Sequence, residues 1–219
     1  MTLKERLTKF IGSTDEVELQ ILFKELSQSF LYGGFLKIRD DYQIFIKTVE
    51  FYFHSEKSDG IHDPIVYHRN VRNAKGVVLR EVPYFPSMTL HAHNSGFDIT
   101  FENEERKYRA SALIRAYEVK DNKGDYLIWT KNKEEDKYMF FHKPDYNYNT
   151  QSTYLYSLLN GFPLGDNNDI KWIDAPRLPS SNLLQKARKN VFESENEWIY
   201  SPTKIRCQRI WSFTRMDKV

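Results

Sequence analysis

Apolar and polar positions near the N-terminus follow helical spacing. Between residues 15 and 30 apolar residues repeat at the spacing of a helix: Val17, Leu19, Ile21, Leu22, Leu26 and Phe30. The polar run at 13–15 supplies side chains that can cap the first turn, and Gly33 and Gly34 follow where a helix would end. The pattern predicts a helix over 15–30.

Alternating apolar and polar positions then predict a series of strands. Residues 35–38 and 42–52 alternate on either side of the polar turn at 39–41, which is typical of a hairpin. Residues 55–76 are polar and contain glycine and proline, so we expect a loop there. Further strands are predicted at 77–82, 89–93, 97–101 and 111–117.

The second half of the chain is less regular. A hairpin is predicted around 131–137, short helices at 153–160 and 182–192, and a last strand at 210–213. Strands therefore cluster in the middle of the chain and helices lie toward its ends, without βαβ alternation. We expect an α+β fold: a single domain over 1–219 with a mostly antiparallel sheet flanked by helices.

Composition narrows the class of protein without naming a function. The chain has 219 residues, of which 40% are hydrophobic and 28% charged, as in one soluble domain. No apolar stretch approaches the ~20 residues that cross a bilayer, and residues 1–11 lack the apolar segment of a secretory signal. We expect a cytoplasmic protein, in which the single cysteine, Cys207, serves in packing.

Charge and aromatic content leave two interpretations open. From Arg177 to the C-terminus there are nine Lys and Arg against four Asp and Glu, which suits either an anionic partner or a solvated surface. The 15 Phe, 14 Tyr and 4 Trp must mostly form the core, although such rings also stack on flat ligands such as nucleobases.

Glu50 is the first candidate for chemistry, because it interrupts an apolar strand. Alternation places Glu50, Tyr52 and His54 on one face of that strand. A partly buried carboxylate beside an aromatic ring is suited to act as a general base in a ligand pocket. The alternative is a glutamate on an edge strand that faces water.

The histidines suggest a second kind of site. His91 and His93 lie on the same side of a predicted strand, and Asp98 follows, which makes a metal-dependent small-molecule enzyme an alternative function. His62 lies in a turn sequence that exposes its imidazole. The chain has neither a glycine-rich phosphate loop nor a Gly-x-Ser-x-Gly nucleophile motif, which argues against nucleotide-driven or serine-hydrolase chemistry.

Several segments, taken in chain order, resemble the alkyladenine (3-methyladenine) DNA glycosylase family. Residues 26–36 are similar to its Leu-Ala-x-x-Phe-Leu-Gly-x-x-Leu segment, and 48–52 to the strand ending in Val-Glu-x-Glu-Ala-Tyr. Residues 113–119 resemble its Leu-Leu-Arg-Ala-x-Glu-Pro strand. Near the C-terminus, 178–187 and 201–206 resemble the Gly-Pro-x-Lys-Leu-x-x-Ala and Ser-Pro-Arg-Ile-Gly motifs.

The resemblance implies a mixed α+β domain with a curved sheet, monomeric and nucleoid-associated, that binds double-stranded DNA. It would flip a damaged purine, alkylated or deaminated, out of the duplex and hydrolyse its N-glycosidic bond without metal or cofactor. Glu50 would activate water, and Arg115 would organise Glu50 or the water. Base contacts would come from Tyr52, His62, His93 and Asp98, and DNA contacts from Arg72, Asn73, Lys186, Lys204 and Arg206.

The chain also departs from the family pattern. The family has a longer stretch after the position of His93, with a tyrosine that wedges into the minor groove and an asparagine that lines the pocket. Here residues 93–98 are short, the wedge is missing or replaced, and Asp98 falls near the asparagine position. Residues 120–170 match no motif of the family. A catalytically silent DNA-binding relative is therefore an alternative to an active glycosylase.

Overall fold

The computed structural model describes residues 1–93, 96–131, 138–142, 150–151, 170–179 and 182–216, with the backbone alone described at 92–93, 96, 128–131, 138–142 and 150–151. Two helices and fifteen strands lie in these ranges. The helices are α1 (Leu3–Lys9) and α2 (Glu16–Tyr32). The strands are β1 (Gly34–Ile38), β2 (Tyr42–Ser55), β3 (Val71–Arg72), β4 (Val78–Arg80), β5 (Thr89–His93), β6 (Gly96–Thr100), β7 (Tyr108–Asp121), β8 (Tyr126–Lys131), β9 (Tyr138–His142), β10 (Thr150–Gln151), β11 (Ile170–Asp174), β12 (Leu184–Lys186), β13 (Phe192–Ser194), β14 (Pro202–Arg206) and β15 (Ser212–Thr214).

The predicted helix over 15–30 is confirmed as α2. Asp15 caps it, since its side chain accepts a hydrogen bond from the Glu18 backbone N–H at 2.8 Å. One face of α2 is buried against the sheet, and the ring of Phe23 stacks on that of Phe51 in β2 with centroids 4.6 Å apart. Burial of this apolar face is the main stabilising interaction of the helix.

Strands β2 and β7 form the centre of the sheet. They pair antiparallel from Tyr42 opposite Asp121 to Ser55 opposite Tyr108, with a shift of register around Thr48. The sheet order is β11-β1-β2-β7-β6-β5, and every strand pair among the described residues is antiparallel. The other edge of β2 pairs first with β1 and then with β15.

The predicted α+β class with a mostly antiparallel sheet is confirmed. The hairpin of β1 and β2, the strands β4 to β7 and the final strand β15 lie close to their predicted positions. Strands β8 and β9 pair across the predicted hairpin at 131–137, of which 132–137 lies outside the described residues. The predicted helix at 153–160 also lies outside them.

The predicted helix at 182–192 is wrong. This segment begins as strand β12, which pairs with β15, and continues as irregular chain up to β13. Tertiary contacts override its helical spacing, because the backbone at Lys189 bonds to Glu50 and Arg188 is buried. In the described part of the chain both helices are therefore N-terminal, so helices do not flank the sheet at both ends.

Two further expectations concern the packing role of Cys207 and the lack of an apolar stretch long enough to cross a membrane. Cys207 is buried, in keeping with the expected packing role. No helix in the described ranges combines the length and the apolar character that crossing a membrane requires.

Candidate active-site cavity

A cavity of about 470 Å³ opens on the face of the sheet formed by β2, β6 and β7. Its sheet side consists of Tyr52, Asp98 and Arg115 together with two smaller β7 residues. Two loop segments, 65–68 and 189–191, form the other walls. The volume lies within the roughly 300–1,000 Å³ range of small-molecule sites.

Strand register explains why these side chains meet. Leu113 of β7 lies opposite Glu50 on one side and opposite Asp98 on the other, so the three residues form a row across β2, β7 and β6. Tyr52 lies opposite Ser111, one step further along the same face. Since adjacent strands are about 4.8 Å apart, the backbones of Glu50 and Asp98 lie roughly 10 Å apart, on either side of Leu113.

Glu50 lies behind the cavity wall, and only 2% of its surface is exposed. Its Oε2 accepts hydrogen bonds from Arg115 Nε at 2.6 Å and from the Tyr52 hydroxyl at 3.3 Å. Its Oε1 accepts one from the backbone N–H of Lys189 at 2.9 Å. Strand β2 is paired on both sides here, to β7 and to Ser212 of β15, so the alternative of a water-facing glutamate on an edge strand is wrong.

Arg115 connects Glu50 to the C-terminal segment. Besides its bond to Glu50, it donates from Nη2 to the backbone oxygen of Lys189 at 3.1 Å. Burial lowers the pKa of the Arg115 guanidinium, but the charges and hydrogen bonds of Glu50 and Tyr52 together raise it overall. Arg115 and Glu50 therefore form a fixed ion pair. Its Arg115 side lines the cavity, where 23% of the arginine side chain is exposed.

Tyr52 is held as a neutral hydrogen-bond donor. Burial raises the pKa of its phenol, and the charge of Glu50 raises it further. The guanidinium of Arg188 lies under the Tyr52 ring, 4.7 Å from the ring centroid, and forms an ion pair with Asp63. Arg188 thus fixes both the ring and the segment that contains Lys189.

Asp98 lies on the other side of the cavity in contact with Tyr67. The Tyr67 hydroxyl forms hydrogen bonds with the Asp98 carboxylate and, at 2.6 Å, with Nδ1 of His91. Burial and then the Asp98 charge raise the pKa of the Tyr67 phenol, which therefore stays protonated. His91 is the cross-strand partner of Asp98 in the β5–β6 pair.

His62 lies away from this cavity. It lines a separate cavity of about 760 Å³, where Nδ1 lies 3.2 Å from Glu197 Oε2 and Nε2 lies 2.7 Å from the backbone oxygen of Lys57. Its ring centroid is 4.0 Å from that of Trp198. The structure therefore does not bring His62 together with Glu50. The side chain of His93 lies outside the described part.

The five residues that the resemblance assigns to DNA contacts fall into two groups. Arg72 is bound to Glu56 at 3.0 Å and stacks on Trp198. Asn73 accepts two backbone hydrogen bonds that shape the turn between β3 and β4. The others are exposed on β12 and β14: Lys186, Lys204 and Arg206.

The basic C-terminal segment is only partly a surface feature. Arg188 pairs with Asp63, Arg209 with Glu16, and Arg215 with Glu118, so part of the excess positive charge is used inside the fold.

A metal site at His91, His93 and Asp98 finds limited support. His91 and Asp98 are cross-strand neighbours, but Nδ1 of His91 is bound to Tyr67. Within the part of the chain that the structure describes, no three His, Cys, Asp or Glu side chains form a group that could hold a metal ion.

Sequence patterns did not point to Tyr67, Arg188 or Lys189 as parts of the site. Tyr67 lies in an irregular loop that offers no spacing to interpret. Lys189 contributes its backbone N–H and oxygen, which no side-chain pattern can indicate. The sequence signal at Tyr67 is weak: it is an aromatic residue that follows Ile65 and Val66 in a largely polar segment.

Comparisons of the chain with protein-family models, with curated proteins and with solved structures find no match. The resemblance to the alkyladenine DNA glycosylases stays a prediction that depends on the sequence motifs alone.

Proposed function

We propose that the chain is a DNA N-glycosylase that hydrolyses the bond between a damaged purine and its sugar in a cavity bordered by Arg115, Tyr52 and Asp98, with Glu50 hydrogen-bonded to Arg115 and Tyr52 behind its wall. One observation carries the proposal. The sequence predicts Tyr52, Asp98 and Arg115 as site residues, and these three residues from three strands line one cavity of ligand size, where Arg115 and Tyr52 both bind the fourth predicted residue, Glu50.

The contacts of Glu50 are compatible with activation of water. A carboxylate has about four acceptor positions, and the three donors of Arg115, Tyr52 and Lys189 leave one for a water on Oε1. In the proposed step the water oxygen bonds to C1′ of the sugar while Glu50 accepts a water proton. The N-glycosidic bond breaks, and its electron pair leaves with the base.

Two aromatic rings at the cavity would stack on the flipped base. Tyr52 and Tyr67 both line the cavity, and tyrosine rings stack on nucleobases. Their phenols are neutral, since burial raises the pKa of both. The base would occupy the space between these rings, beside the pair of Glu50 and Arg115.

Duplex binding would use the exposed cations of the C-terminal segment. Lys186, Lys204 and Arg206 are exposed, and Lys189 lies at the edge of the cavity. Contacts of such side chains with phosphates supply affinity that falls with salt. Part of that affinity would offset the cost of extruding the nucleotide, which is lowest for damaged, weakly paired bases.

The test is base release from labelled duplexes that contain an alkylated purine or hypoxanthine, in the presence of chelator, followed by alkali to cleave abasic sites. We expect cleavage by the wild type and a loss of about 10²–10⁴-fold in Glu50→Gln, the usual contribution of a general base. The matched control is Glu118→Gln, a buried glutamate paired to Arg215 away from the cavity. Per folded molecule it should release base like the wild type.

Two other outcomes would contradict an active glycosylase. Binding of the damaged duplexes without base release would indicate the silent DNA-binding relative. If the protein neither binds these duplexes nor releases base, both the glycosylase and the silent DNA-binding relative are contradicted.

A further inference from the structure

Asp98 places a carboxylate on the wall of the cavity that lies opposite Arg115. Among the described residues that line the cavity it is the only carboxylate, and 3% of its surface is exposed. The guanidinium on the opposite side is already bound to Glu50. A ligand between the two walls therefore meets a bound cation on one side and a carboxylate on the other.

Hydrogen-bond directions at Asp98 follow from the chemistry of its neighbours. An ionised carboxylate only accepts, so the single O–H of Tyr67 is donated to Asp98. The Tyr67 oxygen can then only accept from His91, which assigns the proton of that imidazole to Nδ1. A carboxylate can accept several hydrogen bonds, so Asp98 could accept one from a ligand in the cavity in addition to the bond by which Tyr67 orients it.

A buried acceptor of this kind discriminates between bases by their edges. A base that presents an N–H donor or a positive charge gains a charge-assisted hydrogen bond. A base that presents a carbonyl oxygen places an acceptor against an acceptor and leaves both groups poorly solvated. Sites built to hydrogen-bond a polar group reject analogues without it far more strongly than apolar pockets reject a change of size.

We propose that Asp98, oriented by Tyr67, makes this cavity select purines that present an amino group or a positive charge and reject purines that present a carbonyl oxygen at the same position. The inference rests on the proposed function in that it takes the cavity to be a base-binding site. It narrows the substrate class, since alkylated adenines would be accepted and hypoxanthine, which has a carbonyl oxygen in place of the amino group of adenine, disfavoured.

Two nucleosides of the same shape test the proposal without requiring catalysis. 1-Methyladenosine is cationic and presents an amino group, whereas 1-methylinosine is neutral and presents a carbonyl oxygen at that position. Dissociation constants of both are measured by calorimetry for the wild type and for Asp98→Asn, Tyr67→Phe and Asp59→Asn. Asp59 is an exposed loop residue that lies outside the lining of the cavity, so its variant is the matched control.

We expect the wild type to bind 1-methyladenosine about tenfold or more tightly than 1-methylinosine, because charge-assisted hydrogen bonds are roughly twice as strong as neutral ones. Asp98→Asn should reduce this ratio to near one, and Asp59→Asn should keep it. Tyr67→Phe, which keeps the ring, should reduce the ratio less; should Asp98→Asn fail to fold, Tyr67→Phe supplies the test.

Equal binding of the two nucleosides by the wild type, or no measurable binding of either, would overturn the inference. So would a preference that Asp98→Asn and Tyr67→Phe leave unchanged. The same two bases placed in a duplex separate this result from the proposed function. A nucleoside preference that depends on Asp98, without base release, contradicts the glycosylase alone, whereas Glu50-dependent release without the preference contradicts the role of Asp98 alone.

Discussion

Arg109 and Arg115 lie on the same face of β7, and each binds a buried glutamate, yet their surroundings differ. Arg109 is fully buried and donates to Glu56, Glu102, Asn70 and two backbone oxygens, while its guanidinium lies 3.4 Å from the centroid of the Tyr84 ring. Arg115 binds Glu50 and one backbone oxygen and borders the cavity. A buried Glu–Arg pair is therefore not by itself a sign of function.

The difference lies in how completely each network is enclosed. The Arg109 network joins the loop before β5 to the sheet, and its guanidinium is surrounded by protein acceptors. Such a network fixes the fold. The Arg115 network has one side open to a space of ligand size, so its charges can act on a bound molecule.

The largest expected effect is on stability, in Arg109→Met. Removal of one partner leaves the carboxylates of Glu56 and Glu102 buried without their shared cation, and breaking such a pair costs about 3–5 kcal/mol. Denaturant unfolding measures the loss. A variant as stable as the wild type would show that this network is not what holds the loop.

The same substitution at the second arginine should act on chemistry more than on stability. In Arg115→Met, Glu50 keeps the donors of Tyr52 and Lys189, so we expect a stability loss of about 1–3 kcal/mol, typical of one buried hydrogen-bonded group. The rate of base release at saturating DNA should fall by about 10–100-fold, as expected when a charge-assisted hydrogen bond is removed. Single-turnover kinetics separate the rate from binding. A rate unchanged per folded molecule would contradict the role of Arg115.

A smaller effect is expected at the exposed cations, on binding only. The triple change of Lys186, Lys204 and Arg206 to glutamine should weaken duplex binding and reduce the dependence of log K on log salt by about 0.9 for each phosphate that is no longer neutralised. The single-turnover rate should be unchanged once DNA is saturating. Titrations at several salt concentrations measure the slope, and an unchanged slope would place the duplex on another surface.

The smallest expected effect concerns pH and His54, the third residue on the strand face of Glu50 and Tyr52. Burial, followed by the charge of Arg69, holds the pKa of His54 well below its usual value, and its Nδ1 accepts the Asp63 backbone N–H at 3.1 Å. The unfolded chain takes up a proton below about pH 6.5 while the native state stays neutral. Stability is therefore lost as pH falls below that value, by at most about 1.4 kcal/mol per pH unit.

His54→Asn isolates this contribution, since the amide oxygen can still accept the Asp63 N–H. The free energy of unfolding of the variant should change less between pH 7 and pH 5 than that of the wild type, as measured by urea titrations. Equal slopes would mean that His54 is protonated in the native state.

Local pattern predicted the parts of the fold that depend on one face being buried. The helix α2 and strand β2 each carry a regular apolar face, so their positions could be read from spacing. The segment 182–192 could not, because pairing of β12 with β15 and burial of Arg188 decide its structure. These contacts join residues that are far apart in the chain.

The candidate site shows the same division. Glu50 and Tyr52 share a strand face, so alternation was sufficient to associate them. The proximity of Asp98 and Arg115 depends on the register of three strands. Tyr67 and Lys189 lie in loops, whose sequences have no regular spacing of apolar residues from which their position could be predicted. His62 follows Glu50 closely in the chain, but the loop carries it to Trp198 and Glu197.

The decisive experiment for the proposed function is a crystal structure of Glu50→Gln bound to a duplex with one alkylated adenine. We expect the base to be flipped out of the duplex into the cavity between Tyr52 and Tyr67, with its sugar C1′ facing residue 50. A base that stays stacked in the duplex, or one that occupies the His62 cavity instead, would contradict a glycosylase built around Glu50.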